Sequence, residues 1–300
     1  MISDDTEHTL FVAQCLLEDP DDSAAFQRRL GWKLRLWFLG LPAGIGFATL
    51  KAILRLWVGF PAQRSGVRSA GNGPAMRSAV LGAYFADDEE RRRRFVTAST
   101  RLTHIDPRAE TAAQAVAEAA AWVVSGGGDL KGFLPRLKRL GEDEEWVAIC
   151  AKLTFALGSN HSVREFAEAL GAGDGVSGYA YRTVPVAIYA WMKHSKDFRG
   201  GLAAVLDCGG DTDTVGAILG ALIGLGVGAR GIPAEWTQGI WEWPRSTHLL
   251  IRVGERLAEQ RGSGNALGQI RYFWPGLAGR NVVFLLSVLT HGLRRLFPPY

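Results

Sequence analysis

Cysteine pairs and a secretion signal are both missing from this chain of 300 residues. The three cysteines, Cys15, Cys150 and Cys208, lie far apart and form no Cys-x-x-Cys pair, so nothing indicates a disulfide framework or a thiolate metal site. Asp4 and Asp5 stand where a signal peptide would need a basic and then an apolar stretch. We therefore expect a cytoplasmic protein with reduced, mostly buried thiols.

Uninterrupted apolar runs of membrane-spanning length are also missing. The segment 34–61 is rich in Leu, Trp and Phe, but charged residues leave it an uncharged run of only about 15 residues, whereas a span needs about 20. The apolar helix with glycines at every fourth position from Gly216 is again too short. Both segments favour close packing in a soluble core. Contact of 34–61 with a membrane surface or a partner is the less favoured alternative.

Charge of one sign is not in large excess, because the formal net charge is only +4. The basic run Arg91–Arg94 directly follows the acidic run Asp87–Glu90, and opposite charges four residues apart pair on the surface of a helix. We expect a solvated helix face here and no nucleic-acid partner.

The sequence also lacks sustained alternation of apolar and polar residues, which is the pattern of a strand. Helical periodicity is found instead at 109–124, 142–157 and 181–194, and Ser162 to Glu165 forms a capping box. The sequence predicts an all-α protein, a compact orthogonal helical bundle. We expect one domain over 1–300, in which loops and helix ends converge on the acidic clusters described next.

The most informative motif is Gly-Gly-Asp-Thr-Asp-Thr at 209–214, which opens a very apolar helix. One aspartate would suffice as a helix cap. Asp211 and Asp213 together exceed that need, and two like charges at a buried position are unfavourable without a cation. Crowded carboxylate and hydroxyl oxygens suit a hard cation such as Mg²⁺ or Mn²⁺.

A second acidic cluster, Ser3 to Glu7, opens another predicted helix at the opposite end of the chain. Taken alone, it could be a capping arrangement or a disordered acidic terminus. Taken with the motif at 209–214, it supplies the remaining oxygens for a two-cation site between two helix N-termini.

Six motifs occur in the order that is typical of ADP-ribosylglycohydrolases, the family of the dinitrogenase reductase activating glycohydrolase. The chain resembles that family over roughly residues 3–240. The motifs are Ser3–Thr6, Gly71–Arg77, Leu102–His104, Asp106-Pro107, Gly178-Tyr179 and Gly209–Thr214.

The resemblance implies a hydrolase that cleaves the glycosidic bond between ADP-ribose and a protein side chain or small conjugate. It also implies two Mg²⁺ or Mn²⁺ ions, with Asp4 as the catalytic base that activates a water. The implied metal ligands are Ser3, Asp4, Asp5, Asp211, Asp213 and Thr214. A catalytically impaired relative that binds ADP-ribose, or a structural, crystallin-like relative, is the alternative.

The remaining motifs are expected to bind the substrate. Gly71 to Gly73 could bring backbone amides close to a ligand or could form a plain turn. His104 could contact the ligand or be a hydrogen-bonded core residue, and Tyr179 could stack on adenine or ribose or simply pack. The predicted substrate-binding residues are Asn72, Gly73, His104, Ser177, Gly178 and Tyr179.

Two parts of the chain depart from the family pattern. Members normally carry a helix and a Gly-Asp segment before the first acidic motif, whereas here that motif begins at Ser3. We therefore expect residues 3–5 to be ordered largely by bound cations. The tail at 245–300 is divergent and is expected to pack on the core, and its apolar patch at 282–289 could pack on the core or form an oligomer contact.

Overall fold

The computed structural model describes residues 1–42 and 44–294, and these residues form helices joined by loops, with no strand among them. The prediction of an all-α fold is confirmed. The helices are α1 Asp4–Glu18, α2 Ser23–Leu39, α3 Phe47–Trp57, α4 Ala79–Tyr84, α5 Glu89–Arg101, α6 Pro107–Val124, α7 Leu134–Lys138, α8 Glu144–Gly158, α9 Val163–Ala169, α10 Ala180–His194, α11 Phe198–Leu206, α12 Thr212–Val227, α13 Ala234–Gln238, α14 Thr247–Ser263 and α15 Gly276–Arg294.

Local capping explains where many of these helices begin. The Asp106 carboxylate accepts the Arg108 backbone N–H at 3.0 Å ahead of Pro107, and Ser162 with Glu165 forms the predicted capping box of α9. The predicted helices at 109–124, 142–157 and 181–194 correspond to α6, α8 and α10. The sequence pattern therefore identified these elements to within a few residues.

Two apolar clusters form the core, and the alanine-rich helix α6 lies between them. Ala112 and Ala119 of α6 belong to the cluster built around α8 to α12, whereas Ala113 and Ala117 belong to the cluster of α1, α2, α3, α5 and α14. Small side chains allow close packing: a Cβ on Gly82 of α4 would lie only 2.1 Å from the Ala117 carbonyl oxygen. One central helix thus links the two halves of the protein.

Three short pairings of backbone segments join loops that are far apart in the sequence. They pair Val67 with His104, Gly71 with Tyr179, and Val176 with Gly210. These pairings bring the 67–73, 104, 176–179 and 210 loops to one region, beside the N-termini of α1 and α12.

The C-terminal segment is only partly packed against the core. Leu249, Val253 and Leu257 of α14 are buried in the second cluster, where α14 packs against α1. Helix α15 buries Gly276, Arg280 and Asn281, and its later residues are largely exposed.

Candidate metal and substrate site

Three carboxylates from opposite ends of the chain meet where α1 and α12 begin. One carboxylate oxygen from each of Asp4, Asp5 and Asp213 lies within 4.8 Å of the others. The Ser3 hydroxyl donates a hydrogen bond of 2.7 Å to Asp5 Oδ2. The structure thus brings together the two acidic motifs that the sequence places about two hundred residues apart.

The electrostatics of this cluster favour a bound cation. Burial, followed by the charge of Asp5, raises the pKa of Asp4 to about 7 from its ordinary 3.8. Burial likewise raises the pKa values of Asp5 and Asp211. Asp5 is 1% exposed, and its Oδ1 has no hydrogen-bond partner among the described residues. An unsatisfied buried carboxylate oxygen beside two more carboxylates fits a hard cation with oxygen ligands.

The two glycines before Asp211 allow a close backbone contact that orients the motif. Gly209 and Gly210 both have positive φ, at 68° and 79°. A Cβ at position 210 would lie 2.2 Å from the Val176 carbonyl oxygen, which accepts the Asp211 N–H at 2.7 Å. Only glycine fits at position 210, because any side chain would displace the neighbouring loop.

Asn72 joins three of the sequence motifs. Its backbone N–H donates to the Gly178 carbonyl oxygen at 3.0 Å. Its side-chain Nδ2 donates to Asp211 Oδ2 at 2.6 Å and to Thr183 Oγ1 at 3.0 Å. The side-chain amide nitrogen of Asn72 therefore positions Asp211. A contact between the side-chain carbonyl oxygen of Asn72 and the substrate stays a prediction.

A pocket of about 640 Å³ opens over the acidic cluster. This volume is in the range of pockets that bind small molecules. The predicted site residues that line it are Asp4, Asn72, Gly73, His104, Gly178, Asp211, Asp213 and Thr214. Ser3 and Asp5, which are hydrogen-bonded to each other, are not part of its lining, and neither are Ser177 and Tyr179.

His104 lies against the glycine turn and is held neutral. Burial, followed by the charge of Arg77, lowers the pKa of His104 to about 3. Its Nδ1 is 2.9 Å from Thr103 Oγ1, and a Cβ on Gly71 would lie 3.0 Å from its Nε2. Gly71 and Gly73 have no positive φ. Gly71 and Gly73 make room for the imidazole ring because they have no side chain. For the same reason they would allow a ligand to approach the backbone.

Tyr179 is fixed by polar partners outside the pocket. Its hydroxyl donates to Glu145 Oε2 at 2.7 Å and accepts from Arg108 at 3.3 Å. The Ser177 carbonyl oxygen accepts from Thr183 Oγ1 at 2.9 Å. Stacking of Tyr179 on a nucleotide and binding of a pyrophosphate near Ser177 both stay predictions.

Comparison with known proteins agrees with this geometry. The family model described as ADP-ribosylglycohydrolase matches residues 1–266 of the chain. The chain belongs to the ADP-ribosylglycohydrolase family. The match extends past residue 240, where the resemblance by motifs had ended.

Relatives of this glycohydrolase-family chain occur in archaea and vertebrates. An uncharacterized protein of Archaeoglobus fulgidus is 32% identical over 79% of the chain and 75% of its own length. ADP-ribosylhydrolase ARH3 of Gallus gallus is 27% identical over 66% of the chain, and that of Bos taurus 26% over 59%. The chain spans 61% and 55% of these two ARH3 proteins.

A solved structure supports the fold. An ADP-ribosylglycohydrolase-related protein complex matches with a TM-score of 0.65, covering 87% of this chain and 80% of that one, at 24% identity. The arrangement of helices is therefore that of the ADP-ribosylglycohydrolase family.

Sequence reasoning missed several residues that complete this glycohydrolase-type site. Lys51 and Arg68 line the pocket. Arg77 is fully buried and donates to the Gly73 carbonyl oxygen at 3.3 Å and to Thr103 Oγ1 at 2.8 Å. Arg77 belongs to the motif that begins at Gly71, and a charged residue in an apolar context there could have indicated a buried role for it. Lys51 and Arg68 carried no local signal.

The start of the chain is anchored by the protein itself. Ile2 is buried; its N–H donates to Glu242 Oε2 at 2.9 Å, and its carbonyl oxygen accepts from Arg280 at 2.5 Å. The ordering of residues 3–5 by cations stays a prediction, to which these protein contacts at Ile2 are added. Two residues from the C-terminal part of the chain hold the backbone immediately before Ser3.

Proposed function

We propose that this protein is a metal-dependent hydrolase that cleaves the glycosidic bond between ADP-ribose and a protein side chain or small conjugate. The observation that carries the proposal is the meeting of Asp4, Asp5 and Asp213 at a pocket of about 640 Å³, which Asp4 and Asp213 line. Membership of the ADP-ribosylglycohydrolase family supports a hydrolase acting on ADP-ribose conjugates.

Two Mg²⁺ or Mn²⁺ ions are proposed at this cluster. Hydroxyl and carboxylate oxygens are the donors that these hard cations prefer. Cations bound there would hold ribose hydroxyls and lower the pKa of a water. The proposed ligands are Ser3, Asp4, Asp5, Asp211, Asp213 and Thr214.

The chain's own residues supply binding, orientation and proton transfer. Asp4 lines the pocket and is proposed as the base that takes a proton from the attacking water, as its resemblance to the family's catalytic aspartate implies. Cleavage at the anomeric carbon passes through an oxocarbenium-like state, so the ribose must be held firmly. Asn72 keeps Asp211 oriented, while Lys51 and Arg68 at the pocket wall offer positive charge to the diphosphate.

Hydrolysis assays on two substrates test this proposal. The purified protein is incubated with ADP-ribosyl-arginine and ADP-ribosyl-serine peptides in Mg²⁺, Mn²⁺ or EDTA, and released ADP-ribose is measured. We expect release from at least one peptide that is abolished by EDTA and falls about 100-fold or more in Asp213→Ala and Asp4→Asn. The peptide that is cleaved distinguishes an N-glycosidic from an O-glycosidic substrate.

A matched variant separates loss of the site from general damage. Glu259→Ala removes an exposed carboxylate from α14 and should retain full activity. Binding of ADP-ribose without turnover, in all metals and on both peptides, would contradict the proposal and favour a non-catalytic ADP-ribose-binding relative.

A further inference from the structure

Helix α15 leaves the body of the protein as an uncovered apolar rod. From Val282 to Arg294 its residues are exposed, apart from the half-buried Phe284. It is the helix among the described residues whose length and mean hydropathy of 1.2 would suit a membrane, and only 17% of that stretch is buried. The exposed apolar residues are Val282, Val283, Leu285, Leu286, Val288, Leu289 and Leu293. Exposed apolar surface of this extent marks an interaction site.

The hydroxyl side chains within this rod need no water. Ser287 Oγ donates to the Val283 carbonyl oxygen at 2.9 Å, and Thr290 Oγ1 donates to the Leu286 carbonyl oxygen at 2.7 Å. Hydroxyls bonded to the preceding turn of their own helix are the usual arrangement in an apolar environment. The helix can therefore enter hydrocarbon without leaving a hydroxyl unsatisfied.

A second exposed apolar surface begins where α15 meets α2. Asn281 Nδ2 donates to the Gly40 carbonyl oxygen at the C-terminal end of α2. Around that end, Leu36, Leu39 and Leu41 are exposed. The rod and this end of α2 are thus neighbours on the molecular surface.

Tryptophan and basic side chains continue this surface along α2 and α3. Trp32 and Trp57 are exposed, and the Arg35 guanidinium lies 4.4 Å from the centre of the Trp32 ring. The same guanidinium lies 5.9 Å from the centre of the Trp57 ring. Amphipathic aromatic rings and long basic side chains are the residues that settle at the headgroup level of a bilayer.

The charge of the two contributing segments is entirely of one sign. Residues 23–86 contain nine Lys or Arg residues and no Asp or Glu, and the chain after Glu259 contains five Arg residues and no acidic residue. All 30 acidic residues therefore lie in the rest of the chain. A surface that combines apolar and basic residues is complementary to anionic lipid.

We propose that α15, together with the exposed residues of α2 and α3, binds the surface of an anionic membrane. The first turns of the helix are held in the protein, where Gly276, Arg280 and Asn281 are buried. The exposed part, 282–294, is about 20 Å long at 1.5 Å per residue, shorter than the hydrocarbon core of about 30 Å, so it inserts at the interface and does not span. A segment too short to span, such as 34–61, still suffices for a surface contact. Pairing with a second copy through this surface would place like charges against each other.

Vesicle co-sedimentation of the full chain tests the proposal. Vesicles of phosphatidylcholine alone are compared with vesicles containing 30 mol% phosphatidylserine, about the anionic content of a strongly charged leaflet, at low and at high salt. We expect at least about tenfold more protein bound to the anionic vesicles at equal lipid, decreasing with salt. The double variant Leu286→Asp with Leu289→Asp should lose binding.

A matched double variant on another surface controls for added charge alone. Val147→Asp with Phe155→Asp places two aspartates at exposed apolar positions of α8 and should bind like the unchanged protein. Equal loss in both double variants, or equal binding to neutral and anionic vesicles, overturns the proposal. The protein could instead fail to bind vesicles and form a dimer by light scattering. If Leu286→Asp with Leu289→Asp disrupts that dimer, the surface belongs to a second copy.

Discussion

At the residue scale, the site depends on a single glycine that no other residue can replace. Gly210 combines a φ of 79° with a Cβ position 2.2 Å from the Val176 carbonyl oxygen. That same carbonyl oxygen fixes the N–H of Asp211. The glycine thus sets the position of the acidic turn relative to the loop that carries Gly178.

We expect Gly210→Ala to destabilise the protein and reduce hydrolysis. The strained backbone alone costs about 1–3 kcal/mol, and the clash with Val176 adds to this. Urea unfolding and the ADP-ribose release assay measure the two effects. Gly216→Ala, four residues into α12, is the control, because its Cβ would meet only Leu202 at 3.7 Å and alanine favours a helix by about 0.5–1 kcal/mol. Equal stability in both variants would refute this account of the turn.

At the scale of elements, the first turn of α1 is held by a buried network of charges from the C-terminal part of the chain. Arg280 of α15 donates to Glu242 Oε1 at 2.9 Å and to the Ile2 carbonyl oxygen. Arg245 pairs with Glu7 of α1, whose other oxygen accepts from Trp37 Nε1 at 2.6 Å. The segment predicted from sequence as a divergent tail therefore supports the acidic cluster.

Removal of Arg280 should weaken both the fold and the site. Arg280→Met leaves the Glu242 carboxylate buried without its partner, a loss of about 3–5 kcal/mol. It also frees the backbone before Ser3, so the rise in melting temperature on adding Mn²⁺ should decrease. Thermal unfolding with and without metal measures both effects. Arg252→Met, at an exposed position of α14, should change neither, and an Arg280→Met protein that unfolds like the unchanged chain would contradict the anchoring role.

At the scale of the whole molecule, the site lies where the two apolar clusters meet. Helix α1 belongs to the second cluster and α12 to the first, while α6 packs into both. Bringing Asp4 beside Asp213 therefore requires the complete core, and the repulsion between the carboxylates is a cost that the packed core must offset.

The metal-free protein should lose stability as the pH rises. The folded pKa of Asp4 is raised by burial to about 7 from 3.8, so the folded state binds the proton more tightly than the unfolded state. This stabilisation is fully present below pH 3.8 and is lost as the pH rises through 7. A bound cation favours the ionised carboxylate and should reverse the loss.

Thermal unfolding at pH 5 and pH 8 measures this linkage. One Mn²⁺ concentration, about 100 times the Kd at pH 8, is used at both pH values. We expect it to raise the melting temperature by about 5 °C at pH 8 and by much less at pH 5. Asp4→Asn should remove most of the difference between the two pH values. Glu259→Gln should leave it intact. A metal effect independent of pH would show that the cation does not replace a proton on this cluster.

Local sequence patterns determined the all-α class, the approximate bounds of helices such as α6, α8 and α10, and the residue types of the two acidic motifs. Periodicity, capping residues and carboxylate spacing are properties of adjacent residues, so they can be read without a fold. The clustering of Asp4, Asp5 and Asp213 was inferred from residue type and family resemblance, and the structure places these three side chains together.

Tertiary structure alone decided which partners those side chains have. Asn72 donates to Asp211, Ile2 is held by Arg280, and α15 remains uncovered, although its composition would equally suit a buried helix. These outcomes depend on how helices with similar apolar faces pack across long sequence separations. Local patterns specify that a face is apolar, but the packing of the complete chain decides what covers it.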